Sequence, residues 1–140
     1  MRVVLDTNVL VAGLRSSKGA SFQLLMRIAD GKLIAVATPT LFLEYEDVVY
    51  RPEHRLVHGI SPSDLEIFLQ DFAQKIEPVD AHWRWRPQLK DANDEMVLEA
   101  AINGRVDAIV TFNRKDFLPA TEEFGIKVLS PDQILRREKI

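Results

Sequence analysis

Val3-Val4-Leu5-Asp6-Thr7-Asn8 opens the chain with an apolar, β-branched run that stops abruptly at an acid. Such a run fits a buried strand, and Asp-Thr-Asn reads as the turn that ends it. Downstream, Gly19 to Gly31 encloses Phe22, Leu25, Met26 and Ala29 at i, i+3, i+4 and i+7, the period of an amphipathic helix closed by Gly31. Leu33 to Ala37 is a second apolar strand. Thr38-Pro39 then supplies an N-cap and a proline at the first helical position, opening a helix that runs to about Arg51, before Pro52. Ser61-Pro62 and Ser130-Pro131 repeat that signal for helices over 62–75 and 131–138. Lys75 to Val79 reads as a short strand and 80–90 as irregular chain. Asp94 to Asn103 reads as a helix ending at Gly104, and Val106 to Thr111 and Ile126 to Leu129 as further strands. Strands separated by helix-length segments must pair in parallel through crossovers. The expected fold is therefore α/β: one three-layer α/β/α sandwich with a central parallel sheet, over residues 1–140.

Composition narrows the function. At 46% hydrophobic and 28% charged residues the chain is neither disordered nor coiled coil. It has no cysteine, which excludes disulfides, thiolate metal sites and a cysteine nucleophile. A formal net charge of −3 argues against a surface that grips nucleic acid by overall charge. No apolar run is long enough to span a bilayer, and Asp6 interrupts the N-terminus too early for a signal peptide, so the expected location is cytoplasmic.

In an open α/β sheet, ligands gather outside the carboxyl ends of the strands. Asp6 closes the first strand, Glu44 lies early in the helix after the second, Asp94 begins the helix leading into the fourth, and Asp116 follows that strand. Asp94 shares a helix face with Val97, Leu98 and Ala101 and so points coreward. Around residues 44–47, periodicity excludes Asp47 but does not choose between Glu44 and Glu46. Each acid alone has an ordinary structural reading: Asp6 or Asp91 as a helix cap, Asp94 in favour with a helix dipole, Asp116 in a turn. Together they would repel one another unless a cation intervened. Oxygen ligands without Cys or a placed His select Mg²⁺ or Mn²⁺.

Four segments, in order, resemble a PIN domain: Val4-Leu5-Asp6-Thr7-Asn8-Val9-Leu10; the Glu44 helix ending in Arg51-Pro52; Asp91-Ala92-Asn93-Asp94 with Leu98-Glu99-Ala100-Ala101; and Ile109-Val110-Thr111-Phe112-Asn113 with Asp116-Phe117. The likeness covers most of the chain and is strongest to the VapC-like toxins of toxin–antitoxin systems. It implies a metal-dependent ribonuclease with a parallel sheet between helices and a cluster of three or four acids. The matching positions are Asp6, Glu44, Asp94 and Asp116, and the resemblance chooses Glu44 over Glu46. It also implies an antitoxin partner and a homodimer. One position departs: many members carry Asp where this chain has Asn113, so either Asn113 or Asp116 completes the site.

On this reading the four carboxylates hold Mg²⁺ or Mn²⁺, and a metal-activated water hydrolyses an RNA phosphodiester. Asn8, Thr111 and Asn113 orient carboxylates or waters. Candidate RNA contacts are Arg114 and Lys115 beside the site, then Arg15 and Lys18, and the stretch His82-Trp83-Arg84-Trp85-Arg86, where rings could stack on bases and Arg meet phosphate. His54 and His58 have a helical zinc spacing, but Pro52-Glu53-His54-Arg55 reads as a surface linker, and all three histidines as loop residues. Two rivals compete with the nuclease. An aspartyl-phosphate phosphatase or receiver lacks its pattern, since position 8 is Asn and not Asp. An inactive PIN-fold module that binds RNA or protein is kept in play by Asn113.

Overall fold

The computed structural model describes residues 1–82, 89 and 91–138. Among them, five strands, β1 (Arg2–Leu5), β2 (Ile34–Ala37), β3 (Glu77–Pro78), β4 (Ala108–Val110) and β5 (Lys127–Leu129), form one parallel sheet in the order β3-β2-β1-β4-β5. The central strands β1 and β4 are buried almost throughout, as a sheet covered on both faces requires. The described residues form eight α-helices that connect and flank the strands: α1 (Thr7–Arg15), α2 (Ala20–Ala29), α3 (Pro39–Tyr50), α4 (Pro52–His58), α5 (Pro62–Lys75), α6 (Ala92–Asn103), α7 (Leu118–Phe124) and α8 (Pro131–Glu138). With this strand order, parallel crossovers of the usual right hand place α1 to α5 on one face and α6 and α7 on the other. The contacts agree: α1 packs on α2 and α3, α2 on α5, while α6 lies along β1, β2 and β4. The three-layer α/β/α architecture follows.

The cap signals act as their residues suggest. Thr38 and Ser61 accept from the backbone N–H groups of Leu41 and Asp64 at 3.2 Å, ahead of Pro39 and Pro62. Ser130 and Gln133 exchange side-chain and backbone hydrogen bonds at 2.9 and 3.3 Å, a capping box for α8. Asp91 caps α6 by accepting from Asn93 N at 2.8 Å.

Two readings are sharpened or corrected. Of the two readings of Asp6-Thr7-Asn8, a turn and a helix cap, the structure shows the cap: Asp6 is the N-cap of α1. Gly13 lets this helix approach α2, since a Cβ there would sit 2.5 Å from Leu25 Cδ1. The linker expected at 52–55 is α4, held by Pro52 in its first turn, Arg55 and His58 in its last, and Gly59 at φ 65°. His54 and His58 therefore do lie on one helix. His58 nevertheless uses both ring nitrogens: Nδ1 accepts from Ile60 N at 2.9 Å, so Nε2 carries the proton and faces Val49 O at 3.2 Å. Finally, the chain after β4 is a 3₁₀ turn, Arg114–Asp116, followed by α7.

Candidate metal centre at the carboxyl edge

Strand order makes the site. β1 leads to β2 on one side, and β4 pairs on the other, so the β1/β4 boundary is the switch point of the sheet. Leu5 and Val110 are register partners, which sets the next residues, Asp6 and Thr111, side by side. Asp6 N donates to Val110 O at 2.9 Å, and Thr111 N donates to Leu129 O at 3.0 Å. The side chains then join: Thr111 Oγ1 donates to Asp6 Oδ2 at 2.7 Å. Asp6 Oδ1 accepts from Thr7 N at 2.8 Å. Thr111 Oγ1 also accepts from Asn113 N at 3.0 Å, tying the loop after β4 to the same carboxylate.

Burial dominates the electrostatics here. Asp6 is 5% exposed. Burial pushes its carboxyl above the usual carboxylate range, its hydrogen bonds to Thr111 and Thr7 oppose this, and the charge of Asp116 adds to the rise. Asp94, three residues beyond the Asp91 cap, is pushed up to about 6, first by burial and then by the charges of Asp6, Asp91, Asp116 and Glu95. Thus Asp6 and Asp94 both feel the charge of Asp116, and among the described residues no cation contributes to these shifts. Asn8 Oδ1, two residues after Asp6, is buried without a hydrogen-bond partner among the described residues.

Glu44 is placed differently. Its side chain is 15% exposed and its Oε1 lies 3.3 Å from Arg51 Nη2, the guanidinium that also holds Asp47 at 2.8 Å. Its charge is not among those that raise Asp94. Its neighbour Tyr45 is fully buried and donates to Leu5 O at 2.5 Å, fastening α3 to the end of β1. Burial, with the Asp6 charge, raises the Tyr45 phenol far above its ordinary value, so it remains a donor. Glu46 instead borders a hollow with Phe42, Tyr50 and Gln70, on the α5 side of α3. Tyr45 and Arg51 are the site-forming residues that sequence reasoning did not single out. Arg51 had a signal, since seven residues is nearly two helical turns from Glu44.

The cations divide. Lys115 and Arg114 line the hollow beside Asp116, with Arg114 Nε donating to Val128 O at 3.2 Å. Arg15 ends α1, about 13 Å along its axis from Asp6, and Lys18 lies beyond it, so both stand apart from the acids. Of the stretch His82 to Arg86, the residues Trp83, Arg84, Trp85 and Arg86 lie outside the described residues.

The donor set fits a hard divalent ion in kind, offering carboxylates, the orphaned Asn8 Oδ1 and no sulfur. As the side chains stand, no three His, Asp or Glu groups among the described residues are gathered closely enough to hold one. The arrangement is a set of mutually repelling acids on a rigid strand edge, one of them, Asp6, locked by two donors.

A family model for the PIN domain matches residues 2–115. The comparison with curated proteins gives no match. Among solved structures, a chain in the crystal structure of VapBC2 from Rickettsia felis bound to a DNA fragment from their promoter is similar in fold. Its TM-score is 0.55 at 17% identity, covering 93% of this chain and 98% of that one. The matched segment contains β1, α6 and β4, and with them Asp6, Asp94 and Thr111. By that match, the chain belongs to the PIN-domain family.

Proposed function

We propose that this chain is a Mg²⁺- or Mn²⁺-dependent endoribonuclease and the toxin of a toxin–antitoxin pair. The observation that carries the reading is the like charge at the β1/β4 edge: burial and neighbouring acids, Asp116 among them, raise Asp6 and Asp94, with no cation among the causes that the described residues supply, and Asn8 Oδ1, two residues along from Asp6, is buried without a partner among those residues. Asp6, Asp94, Asp116 and Glu44 would hold the ion, with Glu44 exchanging Arg51 for it. The bound ion would supply charge to a phosphodiester oxygen and lower the pKa of a water. Thr111 and Thr7 N fix which lone pairs Asp6 presents. Tyr45 keeps α3, and so Glu44, against β1. Lys115 and Arg114 receive neighbouring phosphates. The fold neighbour's assembly as VapBC2 supports an antitoxin partner, and the family resemblance supports a homodimer. No described helix is long and apolar enough to cross a membrane.

A second reading, a PIN-fold module that binds without cutting, is favoured by Asn113 and by the hold of Arg51 on Glu44. Incubation of labelled RNA with Mn²⁺, with and without EDTA, separates the two. Cleavage should require the ion and fall by about 10³-fold in Asp6→Asn, the loss of one site-anchoring charge in an electrostatically driven reaction. Cleavage that survives EDTA or the substitution would exclude the metal-nuclease reading.

A further inference from the structure

A hollow of about 600 Å³ opens beside Asp116, lined by Phe112, Asn113, Arg114, Lys115, Asp116 and Leu118. Phe112 is 52% exposed, although Thr111 before it is fully buried and bonded to Asp6. Its ring takes no part in the aromatic cluster of Phe42, Tyr45, Phe68 and Phe72. The loop that carries it is nonetheless fixed: Asn113 N donates to Thr111 Oγ1, and Asp116 N to Asn113 O at 3.1 Å. Fixing an aromatic face in solvent forgoes its burial energy, which a flat apolar ligand would recover. The rim adds Arg114, pinned on the β5 backbone, and the exposed Lys115. A π-face with a cationic rim, one residue from the Thr111–Asp6 bond, has the chemistry of an unpaired nucleobase followed by its phosphate.

We infer that Phe112 is a stacking platform for an unpaired base of the RNA substrate, next to the phosphodiester that is cut. The inference rests on the ribonuclease reading for its substrate class, yet it can be tested without cleavage. Fluorescence anisotropy in EDTA at low salt would compare a labelled single-stranded RNA of mixed sequence with an abasic ribose-phosphate strand of equal length. Wild type should prefer the base-bearing strand by about tenfold, the worth of one stacked base. Phe112→Ala should lose that preference while binding the abasic strand as wild type does, and Phe112→Trp should restore it. Phe112→Leu keeps the bulk without the π-face and carries the same test if the alanine variant melts early.

Undiminished base preference in Phe112→Ala and Phe112→Leu would overturn the inference. So would a wild type that binds neither strand or does not distinguish them, an outcome that leaves the exposed ring to a protein partner. The two readings fail separately. Phe112-dependent base preference without Mn²⁺-dependent cleavage removes the nuclease and keeps the platform. Cleavage with unchanged KM and unchanged binding in the Phe112 variants removes the platform and keeps the nuclease.

Discussion

The two ends of the sheet both carry charged groups and treat them oppositely. At the amino edge, Arg2 Nη1 meets Glu77 at 2.5 Å, its Nε and Nη2 donate to Gly104 O at 3.2 and 2.8 Å, and its backbone N–H reaches Asp107 Oδ2 at 2.8 Å. There, each named charge has an opposite partner or a backbone dipole. At the carboxyl edge, burial and like charges raise Asp6 and Asp94, with no cation among the causes that the described residues supply. Paired charge fastens β1, β3 and the end of α6; uncompensated charge is stability forgone, the mark of a binding site. The contrast can be tested by removing one group from each end.

Short of removing an acid itself as in Asp6→Asn, the largest effect should come from Thr111→Val, which keeps the shape of the side chain and deletes the donor to Asp6 Oδ2. The buried carboxylate then loses its bond from the Thr111 hydroxyl, and its pKa rises further because that bond opposes the rise. Orienting partners of metal ligands are worth about 10–100-fold in affinity or activity, and a loss of that size is expected in Mn²⁺ affinity by calorimetry and in cleavage. Unchanged affinity would mean that the bond merely caps two strand ends.

How much of this was legible follows from where the signals lie. α5 and α8 match their expected bounds because a hydroxyl cap and a proline mark their starts locally. α1 showed only as a possible helix cap at Asp6, because its nine residues follow directly on an apolar strand and carry a single charge, Arg15, at their far end. α4 was hidden for another reason: none of its residues is buried and Leu56 is 87% exposed, so no apolar stripe forms. In the site, Asp6 and Thr111 were readable as the residues that end two buried strands. The Tyr45 bond to Leu5 O spans 40 residues and leaves no local trace. The seven-residue spacing hints at the grip of Arg51 on Glu44, but Arg51 is the extended C-cap of α3, so the spacing alone does not fix the contact.

Arg2→Met tests the other end. It removes the ion pair and the two bonds to Gly104 O while sparing the backbone link to Asp107. A half-exposed network of this kind contributes on the order of 1–2 kcal/mol, seen as a lower midpoint in urea. Metal affinity and kcat/KM should stay within about twofold, since Arg2 lies a strand length from the acids. A fall in activity at full occupancy of the folded state would show that the two ends are coupled and that the contrast between them is false.

Asp94→Asn should give the smallest shift and the most informative sign. The folded carboxyl, at about 6, binds a proton more tightly than the unfolded one at 3.8. In EDTA, wild-type stability from this group is therefore fully present below 3.8 and lost as pH rises through about 6. The amide of the variant cannot ionise, so the variant should be the more stable protein at about pH 8, by on the order of 1 kcal/mol once solvent screening of this partly exposed group is allowed for. The gap should close as the pH falls from about 6 toward 3.8. Saturating Mn²⁺ should reverse the order at about pH 8, because an ion that binds the folded state stabilises it more the tighter it binds, and wild type keeps the ligand that the variant lacks. Reversal would identify the destabilising charge as a binding charge. A variant that stays the more stable protein in Mn²⁺ would place Asp94 among helix-terminus residues and outside the metal centre.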